Sequence, residues 1–459
     1  MKKLLSYFTL IFMVIMTSLL LACGDDGNGS SSGGNGGGQQ IPTSGTCGEH
    51  LTWTYTAATK TLAIEGTGPM KDKGIEFGTY IVQPWYSFKE KIEKIFIGDG
   101  VTSIGYQAFI ECTALTSVTI GSNVESIGQG AFSGCSKITS VTIPNSVKYI
   151  GNEAFYHCTS LTSVIIPNSV TSLGANVFDG CTSLTSVSIG NRVTDIESLA
   201  FNDCSKLSSV TIGSGVTRIA STAFRYCSNI TSVVVNPNNT KYDSRENCNA
   251  IIETASNTLL MGIKTTTIPN SVTSIGYRAF AGCLFTTIDI PNSVKYIGNE
   301  AFYGCAYLTS VTIPNSVMSI EDQTFRNCPN LTSVIIGNSV ERIGGWAFAN
   351  CTALASVTIP NSVTKFGNGA FLGCTSLTSV TIPFNPDYRT RIGYDAFRGC
   401  TGLQHVYCYA LSPIIEDIHV DSVFEDSNIA NATLHVSIGW LEWFQTTAPW
   451  KDFGSIVTL

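Results

Sequence analysis

Hydrophobic positions recur along most of this chain with a period close to 23 residues, and phenylalanine marks the period. Each marker phenylalanine is followed three residues later by a cysteine. A fixed period of this length predicts a stack of repeated supersecondary units, each burying its apolar side against its neighbours. The twelve phenylalanines form two blocks: Phe109, Phe132, Phe155, Phe178, Phe201 and Phe224, then Phe280, Phe302, Phe325, Phe348, Phe371 and Phe397.

Within one unit, residues 161–181, the apolar positions follow two different patterns. Val164 and Ile166 alternate with other residues, which predicts a short strand with one face inward. Pro167 and Asn168 then end the strand, because proline cannot donate to a strand ladder and asparagine tolerates turn geometry. The remaining apolar positions are expected to point inward from a turn or a short helical segment: Val170, Leu173, Phe178 and Cys181.

The full pattern is L-x-x-V-x-I-P-x-S-V-x-x-I-G-x-x-A-F-x-x-C, and it holds over roughly residues 101–400. It resembles the BspA-like leucine-rich repeat, also called the Treponema pallidum type, of bacterial surface proteins. The resemblance implies a curved repeat solenoid with a parallel β-sheet on the concave side. It also implies short helical or irregular segments on the convex side and a β-rich N-terminal cap.

The chain divides into seven segments by composition and by the repeat. Residues 236–267 lose the period, and two apolar stretches flank Thr254–Asn257, which predicts a β-hairpin projecting between the two blocks. The aromatic-rich C-terminal segment is expected to seal the last repeat, with an aromatic ligand site as the alternative. The segments are a signal peptide (1–22), a lipidated cysteine with a tether (23–46), an N-terminal cap (47–97), first repeats (98–235), the insert (236–267), second repeats (268–402) and a C-terminal cap (403–459).

The first residues form an export signal. Two lysines precede an apolar stretch that ends in Leu20-Leu21-Ala22-Cys23, which is typical of a secretory signal peptide. The ending resembles a bacterial lipobox, and that resemblance implies cleavage before Cys23 and lipidation of its thiol. An uncleaved anchor helix is the alternative. The glycine- and serine-rich tether follows, and Asp25-Asp26 resembles a surface-export signal or simply solubilises the linker.

Charge excludes a nucleic-acid partner. The 26 basic residues are outnumbered by 33 acidic ones, and charged residues make up only 13% of the chain. Binding to a phosphate backbone requires clustered lysine and arginine, and no such run occurs.

The sixteen cysteines would ordinarily suggest disulfides in an exported protein. Equivalent cysteines in stacked units point the same way, whereas a disulfide needs two Cβ atoms turned toward each other. A buried column of thiols is therefore expected. The state of Cys47, Cys248 and Cys408, which lie outside the column, stays open, and no close pair of cysteines suits zinc.

Two candidate surfaces emerge from the repeat. Serine and threonine flank the inward valine of each strand and form a sheet of hydroxyls, which suits an extended ligand or simply solubilises the strands. The variable positions near the marker phenylalanines include several tyrosines and one tryptophan. Such side chains are enriched at protein interfaces, and the alternative is that they simply pack over neighbouring turns. The possible ligand surface consists of Tyr106, Tyr156, Tyr226, Tyr277, Tyr303, Trp346 and Tyr394.

The sequence predicts no enzyme. The five histidines form no H-E-x-x-H pair, and no G-x-S-x-G elbow is present. We expect no catalytic residue, no metal and no cofactor. The hypothesis is an exported protein, lipid-anchored to the bacterial outer membrane and surface-exposed, whose solenoid adheres to a protein or glycan on host or neighbouring cells. Glycan capture for nutrient uptake and a structural role in the envelope are the alternatives.

Overall fold

The protein is a β-solenoid in which each turn of the chain stacks on the one before. The computed structural model describes residues 41–71, 75–76, 79–80, 83–383, 390–409, 414–415 and 420–459. Almost all regular structure is strand, and most repeats contribute strands to two rows. Breaks in the hydrogen bonding divide each row into several sheets, and each row is called one sheet below. The solenoid with a parallel sheet, expected from the sequence, is confirmed.

The first sheet, called the long-strand sheet below, carries the alternating segment of each unit. Within the repeats, equivalent residues pair in parallel, as Val164 with Val187 and Val187 with Val210, because the repeat period sets the register. At the N-terminal end, Leu51–Thr56 pairs antiparallel with Thr61–Gly66. Its strands are Leu51–Thr56, Thr61–Gly66, Lys94–Ile97, Ser117–Thr119, Ser163–Ile166, Ser186–Ile189, Ser209–Ile212, Ser232–Val235, Thr287–Ile288, Ser310–Ile313, Ser333–Ile336, Ser356–Val357, Ser379–Ile382, His405–Cys408, Thr433–Val436 and Ser455–Thr458.

A second sheet of very short strands follows the Pro-Asn turn, and the sequence pattern did not predict it. Most of its strands begin at the residue before the apolar side chain at the isoleucine position of the S-V-x-x-I-G motif, and they pair in parallel. They are Gly68–Pro69, Val101–Ile104, Ser126–Ile127, Tyr149–Ile150, Ser172–Leu173, Asp195–Ile196, Arg218–Ile219, Ser274–Ile275, Tyr296–Ile297, Ser319–Ile320, Arg342–Ile343, Lys365–Phe366, Arg391–Ile392 and Ile414–Ile415.

The third side of each turn is formed by hydrogen-bonded turns rather than helix. Elements outside the repeating strands lie at the two ends and in the insert. The further strands are Ser44–Thr46, Ile75–Glu76, Thr79–Tyr80, Tyr242–Asp243, Ala250–Glu253 and Thr258–Gly262. In the part of the chain that the structure describes, the 3-10 helices are Tyr86–Lys91, Arg245–Asn247, Val420–Phe424, Ile429–Asn431, Ile438–Trp440 and Trp450–Asp452, and the one α-helix is Leu441–Thr446.

The core is organised around two stacks of phenylalanine rings. In the second block, Phe302 is fully buried, and its ring centroid lies 5.2 Å from that of Phe280 and 5.1 Å from that of Phe325. Trp85 covers the first ring of the other block, at 5.5 Å from Phe109. The stack continues beyond Phe397 to Phe424, so the repeat geometry extends past the last F-x-x-C motif.

The column cysteines lie beside the phenylalanine stacks as free thiols, as expected. Most of their sulfurs donate to the phenylalanine carbonyl one turn earlier, as Cys158 Sγ does to Phe132 O at 3.2 Å. Burial raises the pKa of Cys158, Cys283 and Cys400 to about 12, so these thiols remain protonated. Cys47, Cys248 and Cys408 are also buried.

The insert forms the expected hairpin but does not project from the solenoid. Strands Ala250–Glu253 and Thr258–Gly262 pair antiparallel, and the second of them pairs in parallel with Ser274–Ile275 of the next repeat. Ile252 and Leu259 are fully buried and belong to the core of the second block. The expectation of a projecting hairpin was wrong, because these apolar side chains replace those of a regular turn.

The C-terminal segment packs its aromatic rings on the end of the stack. Trp450 is buried, and its ring meets that of Phe424 edge to face at 5.5 Å. Trp440 and Trp443 are half-buried against the same core. These contacts agree with a sealing role for the tryptophans rather than with an aromatic ligand site.

Candidate functional site

The outer face of the long-strand sheet is the most regular surface of the molecule. Alternation along each strand buries the valine and isoleucine and turns the residues between them outward. The serine and threonine pairs expected on this face flank the inward valine as predicted: Ser117 and Thr119, Ser140 and Thr142, Ser186 and Ser188, Ser209 and Thr211, Ser310 and Thr312, Ser356 and Thr358, Ser379 and Thr381.

A groove of about 800 Å³ runs across this face in the first block. It crosses several successive turns, and its floor includes the outward residues Thr142, Ile165, Ser188 and Thr211. Strands spaced about 4.8 Å apart make a groove across five turns on the order of 20 Å long. The groove can therefore receive an extended segment that lies across the strands.

Asparagine side chains form one wall of the groove, at the turn that ends each strand. Asn191 N donates to Asn168 Oδ1 at 2.8 Å, and Ser214 N donates to Asn191 Oδ1 at 3.0 Å. Each of these amide oxygens is thus engaged with the backbone of the next turn, and the amide nitrogen remains as a donor on the groove wall. Asn145 and Asn236 extend the wall at its two ends.

The groove is uncharged along its whole lining and contains one prominent apolar side chain. Ile165 is 71% exposed in the middle of the floor, at a position where most strands carry serine or threonine. An isolated aliphatic side chain surrounded by hydroxyls and amides offers an apolar contact together with hydrogen bonds. This combination suits a neutral polar chain more than a charged one.

A second column of hydroxyls, one residue before the strands, serves the fold itself. Thr162 Oγ1 donates to Thr139 O at 3.0 Å, and Thr185 Oγ1 donates to Thr162 O at 2.9 Å. The same bond recurs in the second block, as from Thr332 Oγ1 to Thr309 O. These hydroxyls satisfy backbone carbonyls and are less available to a ligand.

The seven aromatic residues proposed from the sequence lie on the turn side of the repeat and do not form one patch. Tyr226 and Tyr277 are exposed, at 63% and 48%, and the other five are half-buried. Tyr156 stacks on His157 at 4.2 Å, and Tyr226 lies under the Arg225 guanidinium at 4.5 Å. Tyr106, Trp346 and Tyr394 stand on separate turns that are not adjacent in the stack.

Only Tyr277 and Tyr303 are brought together, and they meet around one ion pair. Arg278 Nε donates to Glu300 Oε2 at 2.6 Å, and the guanidinium lies 5.5 Å and 5.6 Å from the two tyrosine rings. Tyr277 also donates to Glu300 at 3.3 Å. These contacts tie two adjacent turns together, which gives both tyrosines a structural role.

Sequence reasoning missed the residues that break the hydroxyl pattern on the strand face. Ile165 and Ile335 are both highly exposed at the threonine position, and the motif S-V-I-I in place of S-V-T-I marked both of them. Near the C-terminal end, His405, Tyr407 and His435 replace the small hydroxyl residues. A comparison of equivalent strand positions across all repeats would have found these five residues.

Cys23, the predicted lipidation site, lies outside the residues that the structure describes. Within the described ranges, no helix has the length and the apolar character that a membrane span requires.

Comparisons with known proteins agree with the geometry. The family model for the BspA type leucine rich repeat region matches residues 79–181, 148–258, 259–378 and 318–442. The fold is similar to that of a leucine rich cell surface protein from Faecalibacterium prausnitzii, at 27% identity over 85% of this chain and 100% of that one, with a TM-score of 0.52.

Two further structures share the fold. A leucine-rich repeat protein from Bacteroides ovatus is 25% identical over 84% of this chain and 98% of that one, with a TM-score of 0.56. A leucine-rich repeat protein from Eubacterium ventriosum is 24% identical over 84% and 96% of the two chains, with a TM-score of 0.58. No curated protein matches the chain.

Proposed function

Because the chain belongs to the BspA-type leucine-rich repeat family, a family typical of surface proteins that bind other proteins, we propose that it is a non-enzymatic adhesion protein. In this proposal it is exported and held at the outer membrane by lipid on Cys23. Its ligand is an extended, uncharged protein segment on a host or neighbouring cell. The groove on the long-strand sheet receives that segment.

The groove around Ile165 is the observation that carries the proposal. Burying the side chain of an isoleucine that is 71% exposed contributes about 1.5–3 kcal/mol to association. The hydroxyls of the floor and the amides of the asparagine wall supply hydrogen bonds to backbone groups of a partner. A rigid surface of this kind loses little conformational freedom on binding, which favours affinity.

The test compares binding of the full chain and two variants to intact cells and to a panel of matrix proteins. Ile165→Glu places a charge in the uncharged groove and is expected to weaken binding by about tenfold or more. Ile335→Glu is the matched control, because Ile335 occupies the same strand position with 60% exposure outside the groove lining. Equal loss in both variants, or no loss in either, would contradict the assignment of the groove.

Glycan capture is the second candidate, and the uncharged lining of hydroxyls and amides favours it. Neutral oligosaccharides present closely spaced acceptors and donors that such a lining can match. Saturable binding of a neutral oligosaccharide that is lost in Ile165→Glu, without binding to any protein of the panel, would favour glycan capture over adhesion to protein.

A further inference from the structure

The outer face of the long-strand sheet changes its chemistry near the C-terminal end. Through the second block, the row at the first strand position contains Ser310, Ser333, Ser356 and Ser379. The next strand places His405 in this row, in parallel register with Ser379. The two strands His405–Cys408 and Thr433–Val436 also bring Tyr407 and His435 to the same face, opposite each other.

The two imidazole rings approach each other through one nitrogen each. His405 Nδ1 lies 3.2 Å from His435 Nε2, with both side chains half-buried. Two nitrogen ligands at 2.0–2.1 Å from one ion are separated by about 3.3 Å in tetrahedral geometry. The separation found here is thus already that of two imidazoles on a shared metal ion.

Neighbouring groups hold this arrangement in place. The Tyr407 ring stacks on His435 with centroids 4.4 Å apart and an angle of 15° between the planes. When both neutral rings carry their protons on the far nitrogens, Nδ1 of His405 and Nε2 of His435 present lone pairs.

We propose that His405 and His435 form a surface site for one divalent transition-metal ion of the kind that imidazole binds, namely Zn²⁺, Ni²⁺ or Cu²⁺. Among the described residues, no cluster of three or more histidine, cysteine or acidic side chains is placed to hold a metal. The other coordination positions are therefore filled by water. Such a site is open toward solvent, and its ion can accept a donor atom from a bound partner.

The experiment is a calorimetric titration of the full chain, purified without a polyhistidine tag and stripped with EDTA, with ZnCl₂ and NiCl₂. We expect one ion per chain. His405→Ala and His435→Ala should each weaken the affinity by about tenfold or more. His157→Ala is the matched control, since His157 lies on the turn side and stacks on Tyr156, and it should bind like the wild type.

Thermal unfolding with and without Zn²⁺ distinguishes a metal site from a pair of histidines that only share a hydrogen bond. Zn²⁺ should raise the Tm of the wild type and of His157→Ala, and should leave that of His435→Gln unchanged, although glutamine can still bond to His405. Absence of binding by the wild type at millimolar metal would overturn the proposal. Undiminished one-to-one binding by the double variant His405→Ala/His435→Ala would overturn it as well.

Discussion

Each phenylalanine in the interior of a stack lies between two others, so one side chain contributes to the packing of three turns. Phe302 is fully buried and contacts both neighbouring rings. Replacing it with alanine removes aromatic packing and leaves a cavity that the rigid sheets on either side cannot close.

We expect Phe302→Ala to lower the free energy of unfolding by about 3–5 kcal/mol, measured by urea denaturation followed by circular dichroism. Tyr307→Ala serves as the control, because Tyr307 is 56% exposed and should cost less than about 0.5 kcal/mol. A Phe302→Ala curve that coincides with that of the wild type would contradict the proposed stacking.

The buried thiols predict how stability depends on alkaline pH. Burial raises the pKa of Cys158 to about 12 in the folded chain, against an ordinary thiol value of 9.0. Between about pH 9 and about pH 12 the unfolded chain therefore loses a proton that the folded chain retains, and the unfolded state is favoured. The contribution of this thiol to the free energy of unfolding is fully present below about pH 9. Above that pH, the free energy of unfolding falls by about 1.4 kcal/mol per pH unit for each such thiol.

Urea denaturation from about pH 8 to about pH 11 measures this dependence. Cys158→Ala removes one thiol and should make the decline shallower, although the variant starts from a lower stability. Native thiols should also react slowly with a thiol-specific reagent and react fully in denaturant. Fast labelling of Cys158 in the native protein would show that the thiol is not buried.

At the scale of an element, the insert takes the place of a regular turn of the solenoid. Its packing there depends on one glycine. A Cβ on Gly262 would lie 2.0 Å from Cε1 of Phe280, so the hairpin fits against the second phenylalanine stack only without a side chain there. Cys283 Sγ also donates to Gly262 O at 3.5 Å, which places Gly262 where a regular unit has its phenylalanine.

We expect Gly262→Ala to destabilise the protein by about 1–3 kcal/mol through overpacking against Phe280, measured by thermal or urea unfolding. Gly439→Ala is the control, because a Cβ at Gly439 meets no atom within 4 Å. If both variants unfold alike, the hairpin is not packed against the stack as described.

At the scale of the whole molecule, the fold presents one long polar face, and we propose that this face is displayed at the cell surface. The proposal of surface anchoring predicts that protease treatment of intact cells removes the repeat body. A lipid-modified peptide that begins at Cys23 should remain with the cells and is detectable by mass spectrometry.

Cys23→Ser tests the anchor itself, because serine cannot accept the thioether-linked lipid. The variant is expected to lose the lipid-modified peptide while the repeat body keeps its wild-type circular dichroism spectrum. A wild-type body that resists protease until the outer membrane is opened would argue against adhesion and for a role inside the envelope.

The sequence by itself determined the repeat, its inward positions and the thiol column. These features depend on side chains that return at a fixed period, such as Phe178 and Cys181, and a periodic apolar pattern can be buried only by stacking. The outward hydroxyls followed from the same alternation along each strand. The family resemblance rested on this pattern and is confirmed.

Only the tertiary structure decided the features that depend on contacts between turns. The hairpin of the insert packs into the solenoid because its side chains meet a stack formed by residues far along the chain. The aromatic residues on the turn side are spread over separate turns because, apart from Tyr277 and Tyr303, they belong to repeats that are not adjacent in the stack. The groove around Ile165 and the pair of His405 and His435 arise from residues 23 to 30 positions apart, whose proximity is set by strand register.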